Sequence, residues 1–149
     1  MWYMVTGVST LKNNCATAED GQFRNQGKVC LHRSMNLKNW EFVNYLAESS
    51  GELGTMLECP NFFPLDGKWV LMYSPMGLQE RQVVYLTGDF DEQTGNFQWQ
   101  TMGSVDLGFD FYAPQHFRDE KGRDLIMAWV GSWPWMPWFR SNDATEKLG

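Results

Sequence analysis

The sequence predicts an all-β chain that forms part of a β-propeller. Three observations carry that expectation. Short aromatic and β-branched runs alternate with turn residues, no segment sustains a helical period, and a unit of roughly 50 residues repeats. The repeat has markers in one frame. Pro60 follows Cys59, and Pro114 follows Ala113, 54 residues later. Each proline leads through an aromatic to a polar turn that ends in glycine (Gly67, Gly122) and then to an apolar strand. Trp40-Glu41-Phe42 and Phe97-Gln98-Trp99 mark the ends of two units. Units of about four short strands are what propeller blades look like, and a closed ring needs typically about four to eight. Residues 1–149 supply the tail of one blade, a complete blade and the start of a third: two to three blades of four-stranded antiparallel sheet.

In chain order, residues 2–6 form a strand closed by Gly7. Residues 8–26 are polar and irregular, a long loop or a decorated hairpin. Residues 27–34 alternate as a second strand, 35–39 turn, and 40–43 form a short strand. Residues 44–56 contain Ser49-Ser50-Gly51 and read as a loop leading to Glu58. Asp66-Gly67 separates apolar runs at 61–65 and 68–74, a strong hairpin signal. Further strands fall at 82–88, 96–99, 111–117 and 124–131, with turns at 89–95 and 119–122.

Composition narrows the function classes. The net charge of −6 and the scattered basic residues argue against nucleic acid, which needs clustered Lys and Arg. No run of eighteen apolar residues is present, so no membrane-spanning helix is expected. No basic segment followed by an apolar one marks a signal peptide, which points to the cytoplasm. Three cysteines (Cys15, Cys30, Cys59) without C-x-x-C spacing read as free thiols. His32 and His116 are isolated, so neither a metal nor another cofactor is expected. Eight tryptophans are many for this length and suit stacking on sugar faces.

Glu58 and Asp110 stand just before the two proline-containing strands, at equivalent places. If those strands are innermost in their blades, both carboxylates face one axial pocket. One carboxyl group can protonate a leaving oxygen while others attack or stabilise a sugar carbon. Spacing alone leaves Glu58 open between this role and an exposed loop carboxylate. Asp110 is open between binding sugar hydroxyls and bonding backbone, and Asp106 could share the first role. Tyr112 and Trp129 fit either core or ligand contact. Trp133, Trp135 and Trp138 are spaced by prolines, which excludes a regular strand or helix. They read as a rim loop able to stack on sugar, or as a patch covered by a further blade.

Glu58-Cys59-Pro60-Asn61-Phe62-Phe63 resembles the acid/base motif of glycoside hydrolase family 32, the β-fructosidases. Phe109-Asp110-Phe111-Tyr112-Ala113-Pro114-Gln115 resembles the family's next signature, one blade later. Trp2-Tyr3-Met4-Val5-Thr6-Gly7 and Leu125-Ile126-Met127-Ala128-Trp129-Val130-Gly131 resemble two of its strands, so the resemblance runs along the whole chain in order. It implies a five-bladed propeller that cleaves β-fructofuranosides with retention and without a metal. Glu58 becomes the acid/base, and Asp110, Asp106, Tyr112, Trp129 and Trp135 become candidate substrate contacts. The substrate is a small carbohydrate such as sucrose, sucrose 6-phosphate or a fructan. The family's nucleophile and second aspartate lie in W-x-N-D-P-N-G and R-D-P motifs, and neither motif occurs here. Arg118-Asp119-Glu120 lacks the proline and lies on a turn. The chain is therefore expected to be an internal piece of such an enzyme. A non-catalytic sugar-binding propeller, a structural propeller and a five-bladed arabinan or xylan hydrolase are the competing readings. Without the nucleophile no covalent fructosyl intermediate forms. The purified 149-residue chain should leave sucrose intact in a glucose-release assay, and detectable turnover would contradict this account.

Overall fold

A computed structural model describes residues 1–11, 25–78, 82–108 and 111–130. Cys15, Asp110, Trp133, Trp135 and Trp138 lie outside the described residues. The described elements are all strands: β1 (Trp2–Leu11), β2 (Asn25–Ser34), β3 (Glu41–Glu48), β4 (Met56–Leu65), β5 (Lys68–Met76), β6 (Val84–Asp91), β7 (Asn96–Ser104), β8 (Phe111–Arg118) and β9 (Asp124–Val130). They form three antiparallel sheets in the orders β1-β2-β3, β4-β5-β6-β7 and β8-β9. The expected tail, complete blade and start of a third are all present.

Several boundaries differ from the sequence expectation. Pairing between strands carries β1 past Gly7 to Leu11 and starts β2 at Asn25, inside the stretch read as a loop, and it carries β6 past Gly88 to Asp91 and β7 past Trp99 to Ser104. β3 continues to Glu48 through residues read as loop, because pairing with β2 overrides their mixed composition. Lys28 lies across the ring of Tyr45 and pairs with Glu48 at 2.8 Å, which ties the extension down. Glu58 lies inside β4 rather than before it. The hairpin at Asp66-Gly67 has positive φ at both residues (48° and 78°), the requirement of the tight turn that matches strand twist.

Within the middle sheet β5 is buried on both faces, which explains its unbroken apolar run Trp69-Val70-Leu71-Met72-Tyr73. Leu71 and Tyr73 join Val29, Leu31, Leu46, Leu57, Leu86 and Phe97 in a core between the first two sheets. Val70 and Met72 point the other way and join Phe63 and Val83, against which Tyr85, Val105 and Phe111 pack. Each fully buried side chain of this size contributes roughly 1.5–3 kcal/mol. The third sheet lacks such cover: Met127 and Trp129 on one face of β9, and Ile126 and Val130 on the other, are exposed.

β4 and β8 carry the same irregularity. Cys59 and Ala113 both have φ of 49°, each is followed by proline, and the register with the partner strand shifts at each. A bulge suits proline, which has no N–H to give to the ladder. It also inverts the inward–outward alternation beyond it. Leu57 and Phe62 therefore both face the first sheet despite an odd separation. Their equivalents one repeat later, Phe111 and His116, both meet the middle sheet: Phe111 packs on its core and His116 stacks on Phe63.

The sheets approach closely where β1 meets β4. A Cβ on Gly7 would lie 2.0 Å from the Leu57 carbonyl oxygen, so only glycine fits without displacing backbone. Gly7→Ala should cost about 1–3 kcal/mol, the usual range for overpacking. A urea titration should show a lower midpoint at unchanged slope. An unchanged midpoint would contradict the close approach.

Candidate active site at the bulged strands

Glu58 faces Ser74 across the β4–β5 pair and is half-buried. Tyr112, 54 residues later, stands next to the second bulge. Its phenolic O–H donates to Glu58 Oε2, across the boundary between the middle and third sheets. Burial, and then this hydrogen bond, push the Tyr112 phenol far above the ordinary tyrosine range. The hydroxyl therefore stays protonated and donating wherever a glycosidase would work. One carboxylate oxygen is held by Tyr112.

The neighbourhood of this pair is tied together by hydrogen bonds. Ser74, fully buried, accepts a hydrogen bond from the Ala113 N–H at 3.0 Å. Asn61 donates to the carbonyls of Cys59 and Pro114 at 2.9 and 2.8 Å and accepts from the His116 N–H at 2.9 Å. The His116 ring lies flat on Phe63 and its Nε2 is 2.9 Å from Asp124 Oδ1. Arg118 bonds both oxygens of Asp124. Arg118 first, and His116 second, hold the Asp124 carboxyl below its usual range. Cys59 is exposed beside Glu58; its surroundings and then the Glu58 charge push its thiol up.

The other candidates are placed differently. Trp129 lies opposite Tyr112 in the β8–β9 pair, with its side chain largely in solvent. Asp106 is exposed after β7, and its carboxylate accepts the Gly108 N–H at 2.6 Å. Asp110 and Trp135 lie outside the described residues. Asp119, in the Arg118-Asp119-Glu120 sequence, closes the β8–β9 turn by accepting from the N–H groups of Lys121 and Arg123. Among the described residues no group of three His, Cys, Asp or Glu side chains could hold a metal ion. Asn61 and Ser74 were not marked out as functional by the sequence pattern. The one available signal was a polar residue inside each apolar strand, where asparagine is disfavoured.

The Tyr112 ionisation can be followed directly. On alkaline titration of tyrosinate absorbance, Tyr112→Phe should remove amplitude only from a phase above the ordinary range near 10. Glu58→Gln should move that late phase only part of the way down, because burial is the larger cause. Loss of amplitude from the ordinary phase would contradict the placement of Tyr112.

The chain is similar to known proteins in sequence and in fold. Residues 2–139 match the model of the glycosyl hydrolases family 32 N-terminal domain. A sucrose-6-phosphate hydrolase of Zymomonas mobilis is 36% identical over 146 residues, covering 89% of this chain and 27% of that protein. One from Staphylococcus xylosus is 33% identical over 116 residues, covering 72% and 24%. The solved structure of a Bombyx mori family 32 beta-fructofuranosidase superposes with a TM-score of 0.71 at 32% identity, covering 89% of this chain and 28% of that one. The same enzyme has been solved, as a mutant, in complex with sucrose. The chain thus spans about a quarter of the length of these relatives. On the extent of the family match and the shared fold, this chain belongs to glycosyl hydrolases family 32, with residues 2–139 in the N-terminal domain.

Proposed function

We propose that this chain is part of the catalytic five-bladed propeller of a retaining β-fructofuranosidase, with Glu58 as its proton donor. The observation that carries this reading is the half-buried Glu58 carboxylate, held through Oε2 by the Tyr112 hydroxyl at the meeting of two bulged strands. With Oε2 engaged, Oε1 is the oxygen left to carry the catalytic proton. In the first step an aspartate supplied by the remainder of the enzyme attacks the anomeric carbon. Glu58 gives its proton to the glycosidic oxygen as that bond breaks, and the aldose leaves as a neutral alcohol. In the second step Glu58, now a carboxylate, takes a proton from water. The hydroxide equivalent displaces the aspartate and releases fructose with its original configuration.

Substrate contacts in this proposal are assigned to Asp110, Asp106, Tyr112, Trp129 and Trp135. The substrate class is a sucrose-type β-fructoside. The relatives' names include sucrose-6-phosphate hydrolases, and sucrose 6-phosphate is the first compound to try beside sucrose. A phosphorylated sugar suits a cytoplasmic site of action. Among the described residues no helix is long and apolar enough to cross a membrane. No cofactor enters the steps above.

A full-length enzyme containing this chain should lose about 10²–10⁴-fold in kcat on Glu58→Gln, the range of a positioned acid. Substrate binding should persist, measured by calorimetry on the variant. A near-wild-type rate would remove Glu58 from the role. Binding without turnover in the unmodified full-length protein would favour a sugar-binding propeller instead.

A further inference from the structure

We infer that Asn61 is a positioning residue that sets the distance between Glu58 and Tyr112 across the sheet boundary. The inference rests on Glu58 being the proton donor. Asn61 is 9% exposed, in a strand, where asparagine is unusual in both respects. Its amide uses three of its four hydrogen-bonding capacities. Nδ2 donates to the Cys59 carbonyl at 2.9 Å and to the Pro114 carbonyl at 2.8 Å. Oδ1 accepts from the His116 N–H at 2.9 Å. Two carbonyls and one N–H as partners fix which end of the amide is which.

Both carbonyls belong to the bulges. Cys59 is the left-handed residue of β4, and Pro114 follows the left-handed residue of β8. Glu58 immediately precedes the first, and Tyr112 precedes the second by two residues. One side chain therefore ties together the two backbone segments that carry the interacting pair. Ser74 adds a second tether from the position opposite Glu58, by accepting the Ala113 N–H. The clamp is not a property of every bulge. At the position equivalent to Asn61 stands Gln115, which is exposed and bonds the Pro114 carbonyl of its own strand.

A clamp of this kind acts on proton transfer. Protonation by Glu58 matters for a sugar leaving group and little for nitrophenolate, which leaves unassisted. The test compares kcat/KM for sucrose, or for sucrose 6-phosphate if that is what the full-length protein cleaves, with that for p-nitrophenyl β-D-fructofuranoside. Asn61→Leu in the full-length protein should lower the first by about 10-fold or more and the second by less than about 3-fold. Ser74→Ala should show the same selectivity, more weakly, and serves if Asn61→Leu does not fold. Asn61→Asp keeps the acceptor for His116 but turns a carboxylate toward two carbonyls, and should resemble Asn61→Leu. Leu46→Ala, a core truncation in the first sheet, should lower both rates in equal proportion. Equal losses on the two substrates for Asn61→Leu and Ser74→Ala, or no loss, would overturn the inference. Glu58→Gln separates the two levels. If it is selective and the Asn61 and Ser74 variants are not, only the positioning role fails. If Glu58→Gln is itself unselective, the proton-donor reading fails.

Discussion

The arrangement depends on one backbone feature: a left-handed residue followed by proline in the middle of the first strand of a sheet. At Cys59 and Ala113 this conformation is unfavourable for a residue with a side chain, by roughly 1–3 kcal/mol. It persists because its surroundings determine it. Asn61 binds carbonyls from both bulges, Ser74 binds the Ala113 N–H, and proline asks for no ladder hydrogen bond. The return is a change of direction within a strand. Leu57 and Phe62 can both pack toward the first sheet while Glu58, between them, meets Tyr112 from the third.

Packing and chemistry are coupled through the middle sheet. Its strand β5 is apolar on both faces because a sheet lies on each side. Phe62 stacks on Trp69 at 4.6 Å and meets Phe90 and Phe97 edge-on, toward the first sheet. Its neighbour Phe63 stacks on His116, toward the third. β4 is thus anchored on both sides within two residues, close to the carboxylate it presents. A shift of either neighbouring sheet would be felt at Glu58. Met127 and Trp129, exposed on one face of β9, mark where the described sheets lack a further layer.

Much of the fold was legible in the sequence because it rests on local signals. Asp66-Gly67 between apolar runs specified a hairpin, and both residues adopt the positive φ that such a turn needs. The paired prolines gave the repeat. The length of β3 was not legible, since Asn44 to Glu48 are strand only by virtue of pairing with β2. Glu58 could be singled out by its motif, but its partner could not be derived from spacing. Tyr112 reads equally well as core, and the hydrogen bond joins positions 54 apart on different sheets. Asn61 and Ser74 were less legible still. A polar residue in an apolar strand is a signal without an address until the neighbouring strand is in place.

The central claim is that Glu58 handles the proton in both steps of a double displacement, and azide rescue tests it most directly. In the full-length enzyme carrying Glu58→Ala, p-nitrophenyl β-D-fructofuranoside should still form the fructosyl intermediate, since its leaving group needs no proton. Water would then attack slowly for want of a base, whereas azide needs none. The account predicts that azide accelerates turnover and yields fructosyl azide of retained configuration. Turnover that azide leaves unchanged, with free fructose as the sole product, would contradict it.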